Sequence, residues 1–370
     1  MISVKEKEED IGTRILTHLA APMEVGFELL PYCNLRCFHC FSNSSPDQPY
    51  TGLSLRKIEA LYDELVELQV FKIYLGGGEP FARRDILEII KLAADRSLAV
   101  TISTNGSFLT ERHIDVLGRI RPAVIQVSLD GACAETHDGM RGAGSFNKAT
   151  GALKLLRTVG ISTAIGTVGC QTNFPEIPDI LQIALDLGVS CFHLMGLQPA
   201  GRASSSYESQ RLTENQWLFL HDFFNLRGSV LREVIDLQVE IDKFVLFKHR
   251  LFTPQAHLDS FSKLWCICPC GRRLCTIAAN GDVLPCELMR DVIAGNVHSR
   301  PLSKIWKRSV AFESIRKRSL GIAACSDCRF WDVCQGGCAA ATLNLTGALT
   351  GADPRCELAN KEISRASSQS

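Results

Sequence analysis

The sequence has no excess of charge of either sign, since 40 Lys and Arg residues balance 40 Asp and Glu residues. A protein whose main partner is nucleic acid usually has a basic excess that neutralises phosphates, so this balance argues against that class. The N-terminus, residues 1–22, is charged and lacks a continuous apolar core, which excludes a signal peptide or a membrane span there. These features predict a cytoplasmic protein with neither a membrane nor a nucleic acid as partner.

Motifs for hydrolysis are also absent. The nine histidines include no pair at a spacing typical of metal ligands, and no serine lies in a nucleophile elbow or a triad signature. The sequence therefore gives no support for a hydrolase.

Cysteine, in contrast, is abundant, with 16 residues. Cytosolic reductants keep thiols reduced, and a chain of this length does not need disulfides for stability, so metal ligation is the leading explanation. Three cysteines fall within residues 33–40, three are isolated (Cys133, Cys170 and Cys191), and ten lie between residues 266 and 356.

A repeated βα pattern runs from residue 24 to about residue 197. The predicted strands are residues 25–30, 71–76, 98–103, 123–129, 162–168 and 190–196, and the predicted helices are residues 54–68, 84–95, 110–119, 146–159, 175–187 and 213–226. Six βα units in series predict an α/β fold with a parallel sheet and outer helices. Because eight units close a barrel, six favour an open, partial (β/α)6 TIM-like barrel, with functional loops at the C-terminal ends of the strands.

The 370 residues are enough for one large and one smaller domain. We expect an N-terminal extension (1–23), a barrel domain (24–227), a bridging region that includes a connecting strand (228–264), a cysteine-rich domain (265–360) and a tail (361–370).

Cys33, Cys37 and Cys40 form a C-x3-C-x2-C loop after the first predicted strand, with no fourth cysteine nearby. A structural zinc site normally has four protein ligands and a 4Fe–4S cluster has four irons, so three thiolates leave one metal position open for chemistry. A zinc knuckle is the alternative interpretation.

Polar motifs follow the next three predicted strands: GGGEP (76–80), STNG (103–106) and SLDG (128–131). Glycines allow close backbone approach, and the hydroxyl, amide and carboxylate groups suit a ribose or an amino-acid carboxylate. Ordinary turns are the alternative for each motif taken alone.

The cysteine loop, with His39 at the aromatic position before Cys40, and GGEP together resemble the radical S-adenosylmethionine (SAM) superfamily. The resemblance implies that Cys33, Cys37 and Cys40 hold a 4Fe–4S cluster whose fourth iron binds SAM. It also implies a set of SAM contacts: Gly77, Gly78, Glu79, Pro80, Asn105, Ser128, Asp130, Arg141 and, in GLQPAGRA, Leu197 with Pro199. A surface salt bridge is the alternative for Arg141, and core packing is the alternative for Leu197.

The C-terminal cysteines, in the order C-x2-C-x5-C-x3-C with a later cysteine, resemble the SPASM extension of radical SAM enzymes, which holds two auxiliary 4Fe–4S clusters. The resemblance implies one cluster on Cys325, Cys328, Cys334 and Cys356. It implies the other on Cys286, Cys338, Cys275 and either Cys268 or Cys270, with Cys266 as a further rival. A zinc ribbon is the alternative for this block. Cys133, Cys170, Cys191 and Cys266 are expected to pack in apolar surroundings.

The resemblance implies an enzyme that cleaves SAM reductively to a 5′-deoxyadenosyl radical and abstracts hydrogen from a substrate. The overall organisation is most similar to the mycofactocin-type and pyrroloquinoline-quinone-type peptide maturases, so we expect a ribosomally made peptide that undergoes crosslinking, thioether formation, epimerisation or oxidative decarboxylation. Only about 24 residues precede the first strand, so we expect a separate small peptide-recognition protein, and also a flavodoxin- or ferredoxin-type electron donor. The alternatives are heme or tetrapyrrole side-chain chemistry, other small-molecule radical SAM chemistry, and a non-catalytic iron–sulfur electron carrier.

Overall fold

The structure is a computed structural model that describes residues 18–252, 268–318 and 321–359. Its strands are β1 (Glu24–Leu30), β2 (Lys72–Gly77), β3 (Ala99–Thr104), β4 (Val124–Ser128), β5 (Thr163–Gly169), β6 (Cys191–Gly196), β7 (Asp236–Val239), β8 (Leu274–Ile277), β9 (Asp282–Leu284) and β10 (Gly295–Asn296). Its helices are α1 (Leu55–Glu67), α2 (Ile86–Asp95), α3 (Glu111–Ile120), α4 (Ala134–Arg141), α5 (Ser145–Thr158), α6 (Ile177–Asp186), α7 (Tyr207–Gln210), α8 (Glu214–Leu231), α9 (Lys243–Lys248), α10 (Leu302–Arg308), α11 (Val310–Arg318), α12 (Trp331–Cys334) and α13 (Ala339–Thr346). Within these ranges, no helix combines the length and the apolar character needed to cross a membrane.

All ten strands belong to one sheet, in the order β10-β9-β8-β1-β2-β3-β4-β5-β6-β7. Strands β1 to β7 are parallel to their neighbours, and β8 extends the sheet on the other side of β1, also in parallel. The two last strands, β9 and β10, pair in antiparallel fashion. The cysteine-rich C-terminal part is therefore joined to the barrel by main-chain pairing.

Alternation along the strands separates the core from the inner face of the sheet. On β1, Val25, Phe27 and Leu29 are buried and contribute to the main core, together with residues of the outer helices such as Leu65 on α1. The intervening β1 positions point to the opposite, concave face, because successive side chains of a strand alternate between faces. On β2, β4 and β6 these concave positions are only half-buried, so the interior of the barrel is accessible.

The sheet curls enough for its two ends to face a common interior. Glu287, which follows β9, is exposed. Desolvation raises its pKa to about 7, and the carboxylates of Glu28 on β1 and Glu240 after β7 add to the effect. Residues from opposite ends of the sheet thus lie within electrostatic range of one another. The predicted α/β partial barrel is confirmed.

The six predicted strands are all present, each within one residue of the predicted bounds at its start. The pattern did not predict α4, because this eight-residue helix contains Gly139 and has too few turns to show an apolar periodicity. The connecting strand expected in the bridging region is β7, which adds a seventh parallel strand beside β6.

Candidate functional site

The three cysteines of the N-terminal loop come together between β1 and α1. Burial raises the pKa of the Cys33 thiol to about 12, and the charges of Glu79, Cys37 and Cys40 add to this increase. Cys37 is buried, and burial likewise raises its pKa. Three neighbouring thiols in a low-dielectric site repel one another as thiolates unless a cation is bound.

The loop after β6 holds the cysteine loop in place. The Arg202 guanidinium donates hydrogen bonds to the main-chain carbonyls of Cys37 and Ser44, both at 2.8 Å, and the Arg202 N–H donates to the Cys40 carbonyl at 3.0 Å. Gly201 has φ of +58°, and a Cβ there would lie 2.4 Å from the Cys40 carbonyl oxygen, so this close approach requires glycine. Sequence reasoning gave neither residue a role, although the Gly-Arg pair directly follows the predicted contacts Leu197 and Pro199.

The glycine-rich turn after β2 packs against the end of β1. A Cβ on Gly78 would lie 1.8 Å from the Tyr32 carbonyl oxygen, and Gly77 has φ of +101°, so both positions need glycine. A Cβ on Gly76 would have nothing within 4 Å, which leaves that side of the turn open. The turn can therefore present main-chain groups to a ligand.

Glu79 points inward from this turn and is 1% exposed. Its carboxylate accepts hydrogen bonds from Thr104 Oγ1 at 2.6 Å, Asn105 N at 2.8 Å and Phe81 N at 3.0 Å. The side chain thus ties the end of β2 to the end of β3. The main-chain N–H of Glu79 donates to the Tyr32 carbonyl at 3.0 Å, and its carbonyl accepts from Ala82 N at 3.1 Å. The next residue, Pro80, is buried at the start of a 3₁₀ turn, and the SAM contacts of both residues stay predictions.

Asn105 reaches the cysteine loop from the end of β3. Its Nδ2 donates to Asn34 Oδ1 at 3.0 Å and to Cys33 Sγ at 3.7 Å, while its Oδ1 accepts from Ser107 N at 2.8 Å. Ser128, at the end of β4, is half-buried on the concave face. Both predicted contacts therefore lie at the C-terminal ends of their strands.

A buried ionic network lies behind the cysteine loop. The Asp130 carboxylate accepts from Arg141 Nε at 2.6 Å and from Val168 N at 2.8 Å, and its Oδ2 lies 3.1 Å from His39 Nε2. Burial alone would raise the pKa of Asp130, but Arg141 and His39 hold it well below its usual range. Asp130 therefore positions Arg141 and His39, and its predicted contact with SAM stays a prediction. The surface salt bridge considered for Arg141 is wrong, because the pair is buried.

Two further features border this network. His39 Nδ1 is buried without a hydrogen-bond partner in the described part of the chain, and such a polar atom is commonly satisfied by a bound ligand. Leu197 packs in a small apolar cluster with Met140, Cys170 and Tyr207. Its core packing is thus established, and its contact with a ligand stays a prediction.

Four C-terminal cysteines surround one cavity of about 290 Å³, and these are Cys325, Cys328, Cys334 and Cys356. Burial raises the pKa of Cys325 to about 11, and the other three thiols add to it. The set is the one that the sequence predicted for one cluster.

A second group of thiols comprises Cys268, Cys270, Cys286 and Cys338. The neighbouring thiols of Cys268 and Cys286, together with burial, raise the pKa of Cys270 well above its usual value. Burial raises the pKa of Cys338 to about 11, with Cys268 and Cys286 adding to it. Cys268 and Cys270, which were alternatives for one ligand position, therefore both belong to this group. Cys266, the third alternative, lies outside the described residues.

Cys275 was predicted to belong to this second group, but the structure places it elsewhere. It lies on β8 within the main hydrophobic core and is fully buried. Burial raises its pKa to about 12, and the charge that acts on it is that of Arg316. The physical reason is strand alternation: Cys275 shares a face with the core residue Ile277, and this face packs against the outer helices.

The turn between Cys334 and Cys338 directs the two cysteines to different groups. Gly336 and Gly337 have φ of +81° and +82°, and the Arg318 guanidinium donates to their carbonyls at 2.7 Å and 3.3 Å. Asp353 Oδ2 accepts from Cys338 N at 2.9 Å, which fixes the far end of the turn.

Of the isolated cysteines, Cys170 is buried as expected, but Cys133 is exposed and Cys191 is half-buried on the inner face of the barrel. In the described ranges, no three or more His, Cys, Asp or Glu side chains form a site for a single metal ion. An iron–sulfur cluster needs a wider arrangement because each thiolate binds a different iron. The cavity lined by four thiols fits such a cluster. The buried His39 Nδ1, in the three-cysteine loop, fits a polar ligand there.

The sequence profile of the radical SAM superfamily matches residues 27–197, and that of SPASM, an iron–sulfur cluster-binding domain, matches residues 268–329. Mycofactocin maturase MftC of Mycobacterium tuberculosis (strain CDC 1551 / Oshkosh) is 32% identical over 349 residues, which cover 93% of this chain and 85% of that protein. The AdoMet-dependent heme synthase of Methanosarcina barkeri (strain Fusaro / DSM 804) is 28% identical over 355 residues, 91% of this chain and 96% of that protein.

Among solved structures, SuiB of Streptococcus suis bound to S-adenosylmethionine has the same fold. It has a TM-score of 0.77 at 17% identity and covers 92% of this chain and 79% of SuiB. The chain therefore belongs to the radical SAM superfamily and is an enzyme with a SPASM domain, whose cofactors are SAM, a SAM-binding 4Fe–4S cluster and auxiliary iron–sulfur clusters.

Proposed function

We propose that this enzyme matures a ribosomally synthesised peptide by abstracting hydrogen from one of its residues. The observation that carries the proposal is the 32% identity to a mycofactocin maturase over 93% of the chain. The accessible concave face of the barrel supports it, because a peptide segment needs an open approach to the catalytic loop.

In this proposal Cys33, Cys37 and Cys40 hold the SAM-binding cluster. When bound and reduced, the cluster and SAM supply a 5′-deoxyadenosyl radical. The chain's own residues position these groups: Asn105 donates to the Cys33 sulfur, Arg202 fixes the loop, and the open turn at Gly76 to Gly78 offers main-chain groups to the SAM amino group. Ser128, Arg141 and Leu197 are the remaining proposed contacts.

The auxiliary clusters are proposed to be two in number. Cys325, Cys328, Cys334 and Cys356 would hold one in the cavity that they line. Cys268, Cys270, Cys286 and Cys338 would hold the other, and this set replaces the predicted Cys275. Four thiolates for each cluster leave no open iron, which favours a role in accepting electrons over binding substrate.

Replacement of Arg202 by methionine is expected to remove the catalytic cluster while the auxiliary clusters stay. The two lost hydrogen bonds from a charged donor to the Cys37 and Ser44 carbonyls contribute about 1.5–3 kcal/mol each to the stability of the loop. Iron content should fall by about a third, the share of one of three 4Fe–4S clusters, and 5′-deoxyadenosine formation should nearly stop.

The matched control is Arg211→Met. Arg211 forms an exposed ion pair with Glu208, and such pairs contribute under about 1 kcal/mol. This variant should keep full iron and full 5′-deoxyadenosine formation. Wild-type iron in Arg202→Met, with an unchanged rate, would remove Arg202 from the site.

A second candidate function is side-chain chemistry on heme or another tetrapyrrole. It is favoured by the 28% identity to an AdoMet-dependent heme synthase over 96% of that protein. The higher identity to the peptide maturase ranks this candidate second.

The proposal includes two partners: a small protein that presents the peptide and a flavodoxin- or ferredoxin-type electron donor. The test uses anaerobically reconstituted, reduced enzyme with SAM, the short peptide encoded beside its gene and any small protein encoded there. Mass spectrometry follows 5′-deoxyadenosine and the peptide together. A change of peptide mass that accompanies 5′-deoxyadenosine supports the proposal, and loss of two hydrogens distinguishes crosslinking from loss of a carboxylate.

A tetrapyrrole substrate is tested in parallel under the same conditions. Formation of 5′-deoxyadenosine with an unchanged peptide, including no deuterium uptake, and a modified porphyrin would replace the first candidate by the second.

A further inference from the structure

A row of polar side chains crosses the concave face of the barrel, deeper than the proposed SAM contacts. Gln126 Nε2 on β4 lies 3.5 Å from Ser103 Oγ on β3. On the other side, Gln126 Oε1 lies 3.4 Å from His193 Nδ1 on β6, and His193 Nε2 lies 3.0 Å from Glu240 Oε1 after β7. The row therefore runs from the middle of the sheet to its β7 edge.

A glycine makes this contact across β5 possible. Gly166 on β5 pairs with His193 on β6, so it lies between β4 and the histidine. A Cβ at Gly166 would lie 2.6 Å from Gln126 Nε2 and 2.9 Å from its Cδ. Because position 166 has no side chain, the Gln126 amide lies over β5 and reaches His193.

The row lies one layer beneath the ends of the strands. Gln126 precedes Ser128 by two residues, and His193 precedes Met195 by two residues, so each pair shares a face. In a barrel of parallel strands, inward side chains stack in such layers, and the layer above this row is the one at the catalytic loop. The row is half-buried on the concave face, so it is open to a peptide side chain that enters the barrel from the strand ends.

The hydrogen bonds determine which histidine nitrogen is reactive. The Glu240 carboxylate accepts a hydrogen bond from His193 Nε2–H at 3.0 Å, whereas the Gln126 amide lies farther from Nδ1, at 3.4 Å. Nδ1 then keeps its lone pair, and the carboxylate on Nε2 orients the ring. The His193 side chain is 20% exposed and that of Glu240 is 60% exposed, which gives the proton a path to solvent.

We propose that His193 Nδ1 accepts a proton from the peptide in an oxidation that removes two hydrogens, while the proton on Nε2 passes through Glu240 to solvent. This inference rests on the proposed peptide-maturase function. One C–H bond of the peptide breaks homolytically, and its hydrogen atom goes to the 5′-deoxyadenosyl radical to give 5′-deoxyadenosine. A neighbouring X–H bond, where X is C, N or O, breaks heterolytically: its proton goes to His193, a new bond forms, and the remaining unpaired electron reduces an oxidised auxiliary iron–sulfur cluster.

The main test compares the holoenzyme with His193→Gln, in which the side chain keeps a hydrogen-bonding amide but cannot accept a proton. Peptide-dependent 5′-deoxyadenosine should still form, while the peptide product per 5′-deoxyadenosine should fall about 100-fold, the usual contribution of a general base. In D₂O with excess reductant, the trapped radical should return as unmodified peptide that carries deuterium. Glu240→Gln, at an exposed position, should lower the same ratio less severely.

The control is Gln238→Ala. Gln238 pairs with His193 in the β6–β7 register, is exposed and hydrogen-bonds to Asp236, so its loss should leave the ratio unchanged. A second measurement needs no turnover: diethylpyrocarbonate labels accessible histidine nitrogens, and peptide mapping reports each site. With SAM and the peptide but no reductant, the peptide should protect His193 in the holoenzyme.

The outcomes separate the two proposals. If wild-type enzyme leaves the peptide unmodified, the peptide-maturase proposal fails and this inference fails with it. If wild-type enzyme oxidises the peptide but His193→Gln gives the same product ratio, or if the peptide does not protect His193, only the inference is overturned.

Discussion

Cys37→Ala is expected to abolish 5′-deoxyadenosine formation while the C-terminal iron stays bound. Cys37 is buried between the Arg202 clamp at its carbonyl and the Arg141 carbonyl, which lies 4.0 Å from its sulfur. Cys33 and Cys40 alone leave a second iron without a protein ligand, so the cluster that binds SAM is lost. Iron analysis should show about two thirds of the wild-type content, since two of three clusters remain.

Cys133→Ala is the matched control. Cys133 is exposed at the start of α4 and belongs to none of the three thiol groups, so its loss should change neither the iron content nor 5′-deoxyadenosine formation. SAM cleavage that persists in Cys37→Ala would disprove the assignment of the catalytic loop. Loss of all iron would instead show that the barrel and the SPASM part do not bind their clusters independently.

The barrel could be predicted because its strands carry local signals that agree with their tertiary environment. β1, for example, alternates buried Val25 and Phe27 with inward Gly26 and Glu28, and a glycine-rich turn follows β2. The helix α4 could not be predicted in this way, since its position depends on Asp130 N donating to His137 Nδ1 at 3.0 Å and on burial of Met140. These contacts join residues that the apolar period does not mark.

In the site, the motifs identified the neighbourhood but not the direction of each side chain. Glu79 and Asp130 are both in the predicted motifs, and their carboxylates bind Thr104 and Arg141, which the motifs alone did not indicate. The sequence of a short motif does not distinguish a charged residue that contacts a ligand from one that fixes the ligand-binding loop. Only the partners across strands, such as Asn105 N for Glu79, separate the two roles.

The cluster ligands in the SPASM part could not be predicted for the same reason, because the direction of each side chain is not visible in the sequence. The sequence offers Cys266, Cys268 and Cys270 for one ligand position, and it does not show which cysteines of this block lie on a strand. Cys275 lies on β8, where alternation turns it into the core, while Cys268 and Cys270 precede that strand. The decisive information is thus the face of β8, which pairs with β1 at a distance of about 250 residues along the chain.

Cys270→Ala and Cys275→Ala are therefore expected to differ sharply. Cys270 lies beside the thiols of Cys268 and Cys286, so its removal should cost one auxiliary cluster, about a third of the iron. Product formation should stop, while slow SAM cleavage continues at the separate N-terminal loop. Cys275→Ala removes a buried sulfur from the core and should lower the free energy of unfolding by about 1 kcal/mol with full iron content.

This difference is measured by iron analysis and by EPR of the reduced proteins. Cys334→Ala serves in both as the reference for loss of the other auxiliary cluster. The reference should lose the signal of the cluster in the 290 Å³ cavity, and Cys270→Ala should lose the complementary signal. Full iron in Cys270→Ala together with a missing cluster in Cys275→Ala would return Cys275 to the ligand set. Because both variants remove one thiol of the same size, their comparison separates ligation from packing without a change in side-chain volume between them.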